Sequence, residues 1–125
     1  MQQSTALVVD DNVINRRVAT LFLAKQGWRV DQAESGQEAL ELLERQTYDC
    51  VLLDISMPGM SGLEVCQKIR ANPQWRHLKV VAYTAHALAD ECEKIMKSGF
   101  DAIIVKPVTA DRLRETVGEA RAVDG

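Results

Sequence analysis

Long apolar runs, a basic excess and paired cysteines are all missing from this sequence, and each absence removes a class of function. Nothing in the 125 residues approaches the roughly 20 consecutive apolar positions needed to cross a bilayer. The opening Met1-Gln2-Gln3-Ser4-Thr5 lacks the basic and apolar regions of a secretory signal, so the chain reads as cytoplasmic, without membrane insertion. Fifteen Lys plus Arg against eighteen Asp plus Glu give a net charge of -3, a poor electrostatic footprint for direct nucleic-acid binding. A protein partner is expected instead. The three cysteines, Cys50, Cys66 and Cys92, are odd in number and widely spaced with no C-x-x-C pair, which reads as reduced thiols packed in the core. His77 and His86 have no neighbours at zinc-ligand spacing. Aromatics make up only 5% of the chain, and Trp28 and Trp75 read as packing residues. No repeat, low-complexity segment or composition break divides the sequence. One domain over residues 1–125 is expected, with a core of about residues 5–119 and a fraying tail at 120–125.

What is present is a repeated placement. Four short apolar runs each lead into a residue suited to handling a phosphoryl group: 6–9 into Asp10 and Asp11, 50–53 into Asp54, 80–83 into Thr84, and 102–105 into Lys106. Runs of this length, separated by helical patterns, read as buried parallel strands. Their carboxyl ends share one edge of the sheet, where open α/β sheets bind ligands, so three carboxylates, a hydroxyl and an ammonium face a single crevice.

The rest of the chain alternates in step. A helix is expected over 13–26 with Ile14, Val18, Leu21 and Phe22 as its apolar face and Gly27 at its end. The second strand follows at 28–33. Ser35-Gly36-Gln37-Glu38 and Ser61-Gly62-Leu63-Glu64 are capping-box patterns that open the second and third helices. A fourth helix is expected over 87–98 with Leu88, Cys92, Ile95 and Met96 on one side, and Thr109 caps a fifth, with Val108 and Leu113 at staple spacing. Strict alternation of this kind calls for a parallel sheet covered on both faces and joined by right-handed crossovers.

Asp10-Asp11-Asn12, Asp54 with Met57-Pro58-Gly59, Thr84-Ala85 and Lys106-Pro107, in this order and at these separations, resemble the receiver domains of two-component response regulators, the CheY-like family. The likeness runs from Ala6 to about Val117. It implies a flavodoxin-like (βα)5 doubly wound parallel sheet with strand order 2-1-3-4-5. It implies Asp54 as the phosphoacceptor, attacking phosphorus in line and displacing the histidine of a histidine kinase or histidine phosphotransfer protein. It further implies Mg²⁺ as cofactor, with Asp11, Asp54 and the backbone carbonyl of Ser56 as direct ligands and Asp10 acting mainly through water. Lys106 then pairs with the acceptor at rest and with a phosphoryl oxygen afterwards, Thr84 is the switch hydroxyl, and Pro107 follows a cis peptide. A domain of this kind catalyses its own phosphorylation and dephosphorylation without being a conventional enzyme. The downstream target is expected on the face of the fourth helix, fifth strand and fifth helix.

The sequence also departs from the family pattern. Ile103 stands where many members carry the Tyr or Phe that moves with the threonine, so an aromatic relay in its usual form is not expected. Ser56 and His86 occupy the two positions that, in the family, flank the phosphoryl group and affect how fast water removes it, so the resemblance implies a tuning role; His86 reads equally well as an ordinary exposed residue at a helix start. No output domain is expected after Val117, so the chain reads either as a stand-alone single-domain regulator or as a receiver excised from a hybrid histidine kinase or a longer regulator; Met1 and a short polar lead leave both open, and Asn15 after Asp10-Asp11-Asn12 resembles hybrid-kinase receivers and some single-domain regulators alike. Two rival functions fit less well. A flavodoxin-like cofactor binder needs a Gly/Ser/Thr loop after its first strand, where this chain has acids that repel an unescorted phosphate. An aspartyl-phosphate phosphatase of the haloacid-dehalogenase kind needs a second Asp two positions after its nucleophile, which neither Asp54-Ile55-Ser56 nor Asp10-Asp11-Asn12 supplies.

Overall fold

The computed structural model describes residues 3–85, 88–118 and 120. Five strands, β1 (Thr5–Val9), β2 (Arg29–Ala33), β3 (Cys50–Asp54), β4 (Lys79–Thr84) and β5 (Ala102–Val105), alternate with five helices, α1 (Val13–Lys25), α2 (Gly36–Arg45), α3 (Gly62–Ala71), α4 (Ala89–Lys97) and α5 (Ala110–Val117). A short 3-10 turn, Pro73–Trp75, precedes β4. All strand pairs are parallel and the order is β2-β1-β3-β4-β5, as expected.

The two-residue period of the strands divides the core. Leu7, Val9, Val51, Leu53, Val80 and Ala82 face α2, α3 and the Ile95 side of α4. Ala6, Val8, Cys50, Leu52, Val81, Tyr83 and Ile104 face α1 and α5. Every residue of β3 is buried, and each Val or Leu there contributes about 1.5–3 kcal/mol of burial. The central strand is therefore a rigid mount for whatever follows it.

Side-chain caps start four of the helices: Asn12, Ser35, Ser61 and Thr109 each accept from amides of the first turn. Leu88, before α4, offers no such bond. Val108 and Leu113 are both buried, in keeping with the staple. Two helix faces differ from expectation. On α1, Ala19 and Leu23 are buried while Ile14 and Leu21 are 68% and 59% exposed. The helix presents its small alanine to the sheet for close approach, and this turns Ile14 and Leu21 outward. On α4 only Ile95 is buried, and Leu88 and Met96 are exposed. Cys50 and Cys66 are buried free thiols, whereas Cys92 is half-exposed. Trp28 is buried and Trp75 packs half-buried against the core.

At the amino-terminal edge of the sheet one arginine ties several segments together. Arg70, near the end of α3, donates to the carbonyls of Leu78 (2.7 Å) and Gly99 (2.8 Å) and to Asp101 Oδ2 (2.8 Å), which also accepts from Val80 N. Gly99 has φ +109°, and a Cβ there would stand 2.8 Å from Arg70 Cγ. Position 99 therefore has both a conformational and a steric need for glycine. Of the tail expected to fray, only Ala120 is described, half-buried against the α1/α5 side of the core; residues 121–125 lie outside the described residues. Among the described residues no helix is long and apolar enough to cross a membrane.

Candidate functional site

The register brings the expected residues to one place. β1 pairs Val9 with Leu53, so one step further Asp10 stands beside Asp54, which pairs with Tyr83, which pairs with Ile104. Lys106 lies two positions beyond Ile104 and returns toward the same row. Thr84, one residue after Tyr83, ends β4 buried on the opposite face of the strand. Its carbonyl accepts from Lys106 N at 2.8 Å, which fixes the start of the β5–α5 loop. The Lys106–Pro107 peptide is cis.

Asp10 is 0% exposed and Asp54 3%. Asp10 Oδ1 accepts from Asn12 N at 2.9 Å, and Asn12 in turn caps α1 through Ile14 N and Asn15 N. The other oxygen, Oδ2, is buried and makes no aligned hydrogen bond among the described residues, though Lys106 Nζ lies 3.1 Å away as an ion pair. Asp54 Oδ1 accepts from Lys106 Nζ at 3.2 Å and from Ser56 N at 3.3 Å. Asp54 Oδ2 accepts no hydrogen bond among the described residues. Burial first, then the charge of Asp10, push the Asp54 carboxyl up to about 6, against the opposing pull of Lys106 and the Ser56 amide.

One oxygen from each of Asp10, Asp11 and Asp54 can be taken within 4.8 Å of the others, with Asp11 exposed at the mouth. A single lysine does not neutralise three carboxylates, and Asp10 Oδ2 is a buried acceptor short of aligned donors. The donor set is all hard oxygen and opens to solvent on the Asp11 side. The residues thus fit a small divalent cation such as Mg²⁺.

Other expected positions fall around this centre. Ser56 is exposed beside it, Met57 is buried below the loop, Ala85 and Pro107 are exposed, and Ile103 is half-buried against the α2/α3 side of the core. His86 lies outside the described residues. Gly62 N donates to Ile55 O at 3.0 Å, and a Cβ on Gly62 would collide with the Asp54 carbonyl. The glycine lets α3 close onto the strand end that carries the acid.

Two neighbours of the site were not expected from sequence. Arg16 donates to the Asp10 carbonyl at 2.8 Å and to Gln32 at 3.1 Å, clamping the ends of β1 and β2. The Tyr83 ring lies under Lys106, whose Nζ is 4.6 Å from its centroid. The signal was a single ring in an otherwise aliphatic run ahead of Thr84. A hollow of about 1000 Å³ beside Leu43, Tyr48, Trp75 and Leu78 lies at the amino-terminal edge, away from the carboxylates. The chemistry follows the charged crevice, not this hollow.

A family model described as the response regulator receiver domain matches residues 6–118. The chain is 41% identical over 111 residues to the sensor histidine kinase RcsC of Salmonella typhi, covering 89% of this chain and 12% of that protein. It is 34% identical over 113 residues to the polar-differentiation response regulator DivK of Brucella ovis, covering 90% of this chain and 92% of that one. The receiver domain of sensor histidine kinase PA1611 from Pseudomonas aeruginosa, solved with a magnesium ion coordinated in its active site cleft, superposes with a TM-score of 0.83. It is 30% identical, with 93% of this chain and 98% of that one covered. The chain spans about 12% of the length of the sensor kinases it matches.

Proposed function

We propose, since this chain belongs to the response regulator receiver domain family, that Asp54 is the side chain on which it takes a phosphoryl group from a phosphohistidine of its partner. Receiver domains serve two-component signal transduction, working with histidine kinases or phosphotransfer proteins and with downstream targets. The observation that carries the residue assignment is the placing of one ammonium, Lys106 Nζ, at 3.1 and 3.2 Å from two buried carboxylates that also form an acidic cluster with Asp11.

Asp54 Oδ2 is the oxygen open to phosphorus. Its electron pair forms the new O–P bond as the N–P bond to the donor's imidazole breaks, and that pair leaves on the ring nitrogen. Two anions approach each other in this step, so positive charge must be supplied. Lys106, a point charge on a flexible stem, moves from the Asp54 carboxylate to a phosphoryl oxygen. The Thr84 hydroxyl donates to a second one. Asp10, Asp11, Asp54 and the Ser56 carbonyl would hold Mg²⁺, with Asp11 direct and Asp10 mainly through water. When bound, the ion neutralises charge on the phosphoryl oxygens.

The output face is α4, β5 and α5, a reading supported by the exposed Leu88, Met96 and Val105 along it. With Ile103 in place of a ring, the response is a backbone shift of the loop entering α4. The acceptor assignment is tested with a small acyl phosphate and Mg²⁺, followed by borohydride trapping and peptide mass mapping. Label is expected on Asp54 alone, and label persisting in Asp54→Asn would overturn the assignment.

A further inference from the structure

Tyr83 is the sole aromatic residue in the five strands. It is 1% exposed, held in register between Asp54 on β3 and Ile104 on β5. It heads the largest fully buried side chains among the described residues and belongs to the core cluster of Val8, Leu52, Ile104 and Leu113, so it packs as well as faces the site. What the ring adds is its face. Lys106 Nζ sits 4.6 Å from the centroid while lying 3.1 Å from Asp10 Oδ2 and 3.2 Å from Asp54 Oδ1. An ammonium is drawn to the negative face of an aromatic ring, and more strongly where water is excluded. The phenol stays neutral at physiological pH, because burial and the charges of Asp10 and Asp54 push it up to about 12. The ring thus offers its quadrupole, not a phenolate.

The three partners of Lys106 differ in permanence. Asp54 loses its carboxylate charge when it becomes the acyl phosphate, and Asp10 would share its charge, mainly through water, with a cation held in the cluster. The ring, locked in the core, is unchanged throughout. We propose that Tyr83 is a positioning residue that keeps the Lys106 ammonium in the crevice through phosphoryl transfer, acting through its ring face and not through its hydroxyl. This rests on the reading of Lys106 as the phosphoryl partner.

The test replaces position 83 with Phe, with phenylalanines bearing one, two or three ring fluorines, and with Leu. Two quantities are read: the rate of Asp54 phosphorylation by a small acyl phosphate with Mg²⁺, and the NMR shifts of the Lys106 ε-methylene. Tyr83→Phe is expected to keep both. Fluorination, which drains the ring face at nearly constant shape, should slow phosphorylation step by step, and Tyr83→Leu should slow it about three- to tenfold. The Lys106 ε-protons should be shifted upfield in the native and Phe proteins and return to ordinary values with Leu. Should the Leu variant lose its fold in a thermal melt, the fluorinated series, which preserves volume, decides the matter.

A rate insensitive to fluorine, unshifted ε-protons in the native protein, or a Phe variant as slow as Leu would each overturn the proposal. Failure of the underlying reading looks different: the native protein would take no label at Asp54, while the Lys106 shifts would still report the ring.

Discussion

At the scale of the residue, Asp54 is held in a place that favours its neutral form. Burial and Asp10 raise it to about 6, whereas an Asp in an unfolded chain titrates near ~3.9. Folding therefore takes up a proton between those two values. The cost of keeping the ionised form is fully present above pH ~6 and absent below pH ~4. In metal-free buffer Asp54→Asn is expected to be more stable than the native protein at pH 8 by about 1–3 kcal/mol, with the gap closing toward pH 4. Urea unfolding in the presence of a chelator measures this, and millimolar Mg²⁺ should narrow the gap by stabilising the native carboxylate. A variant less stable than native at pH 8 would mean that the Lys106 ion pair outweighs burial. The charged residues of this centre were legible in sequence because each ends an apolar run, where polarity is conspicuous. Tyr83 was not, because it ends the β4 run as its last apolar member and so looked like core.

The elements hold that centre by close approach. Gly62 opens α3 against the exit of β3, and a methyl group there meets the Asp54 carbonyl and stands 2.8 Å from Ile55 Cα. Both obstacles are backbone, so α3 itself must give way. Gly62→Ala is expected to cost about 1–3 kcal/mol and to slow Asp54 phosphorylation by displacing the acceptor's own peptide. Thermal melts and labelling rates check it, and a variant matching native in both would deny the glycine this role. Element order was readable because strands and helices differ in period and because Ser35, Ser61 and Thr109 mark where helices begin. Of the expected inward face of α1, Val18 and Phe22 pack partly buried against the core while Ile14 and Leu21 face out, for a physical reason. Hydrophobicity weights Ile14 and Leu21 over Ala19, but the distance between helix and sheet is set by the small residue. The weak burial of α4 escaped notice in the same way, since Leu88 and Met96 satisfy the apolar pattern while lying outside the core.

For the molecule as a whole, chemistry and restraint sit at opposite edges of one sheet. Beryllofluoride with Mg²⁺, which mimics the phosphorylated acid, should produce its largest amide shifts outside the crevice at Ala85, residues 88–91 and residues 102–108, and changes confined to α1 would mean the signal leaves by another face. The far edge is where Arg70 binds the carbonyls of Leu78 and Gly99 and the Asp101 carboxylate. α4 ends at Lys97, two residues before the glycine so held, and begins at Ala89, where Leu88 provides no side-chain cap. Nine helical residues make an arm of about 13 Å, so a tilt of about 10° about the fastened end carries Leu88 roughly 2 Å while Lys97 scarcely moves. Under the proposed switch Arg70 would be the fulcrum of that arm, and a small displacement of Thr84 at the near end would then become one large enough for a second protein to feel.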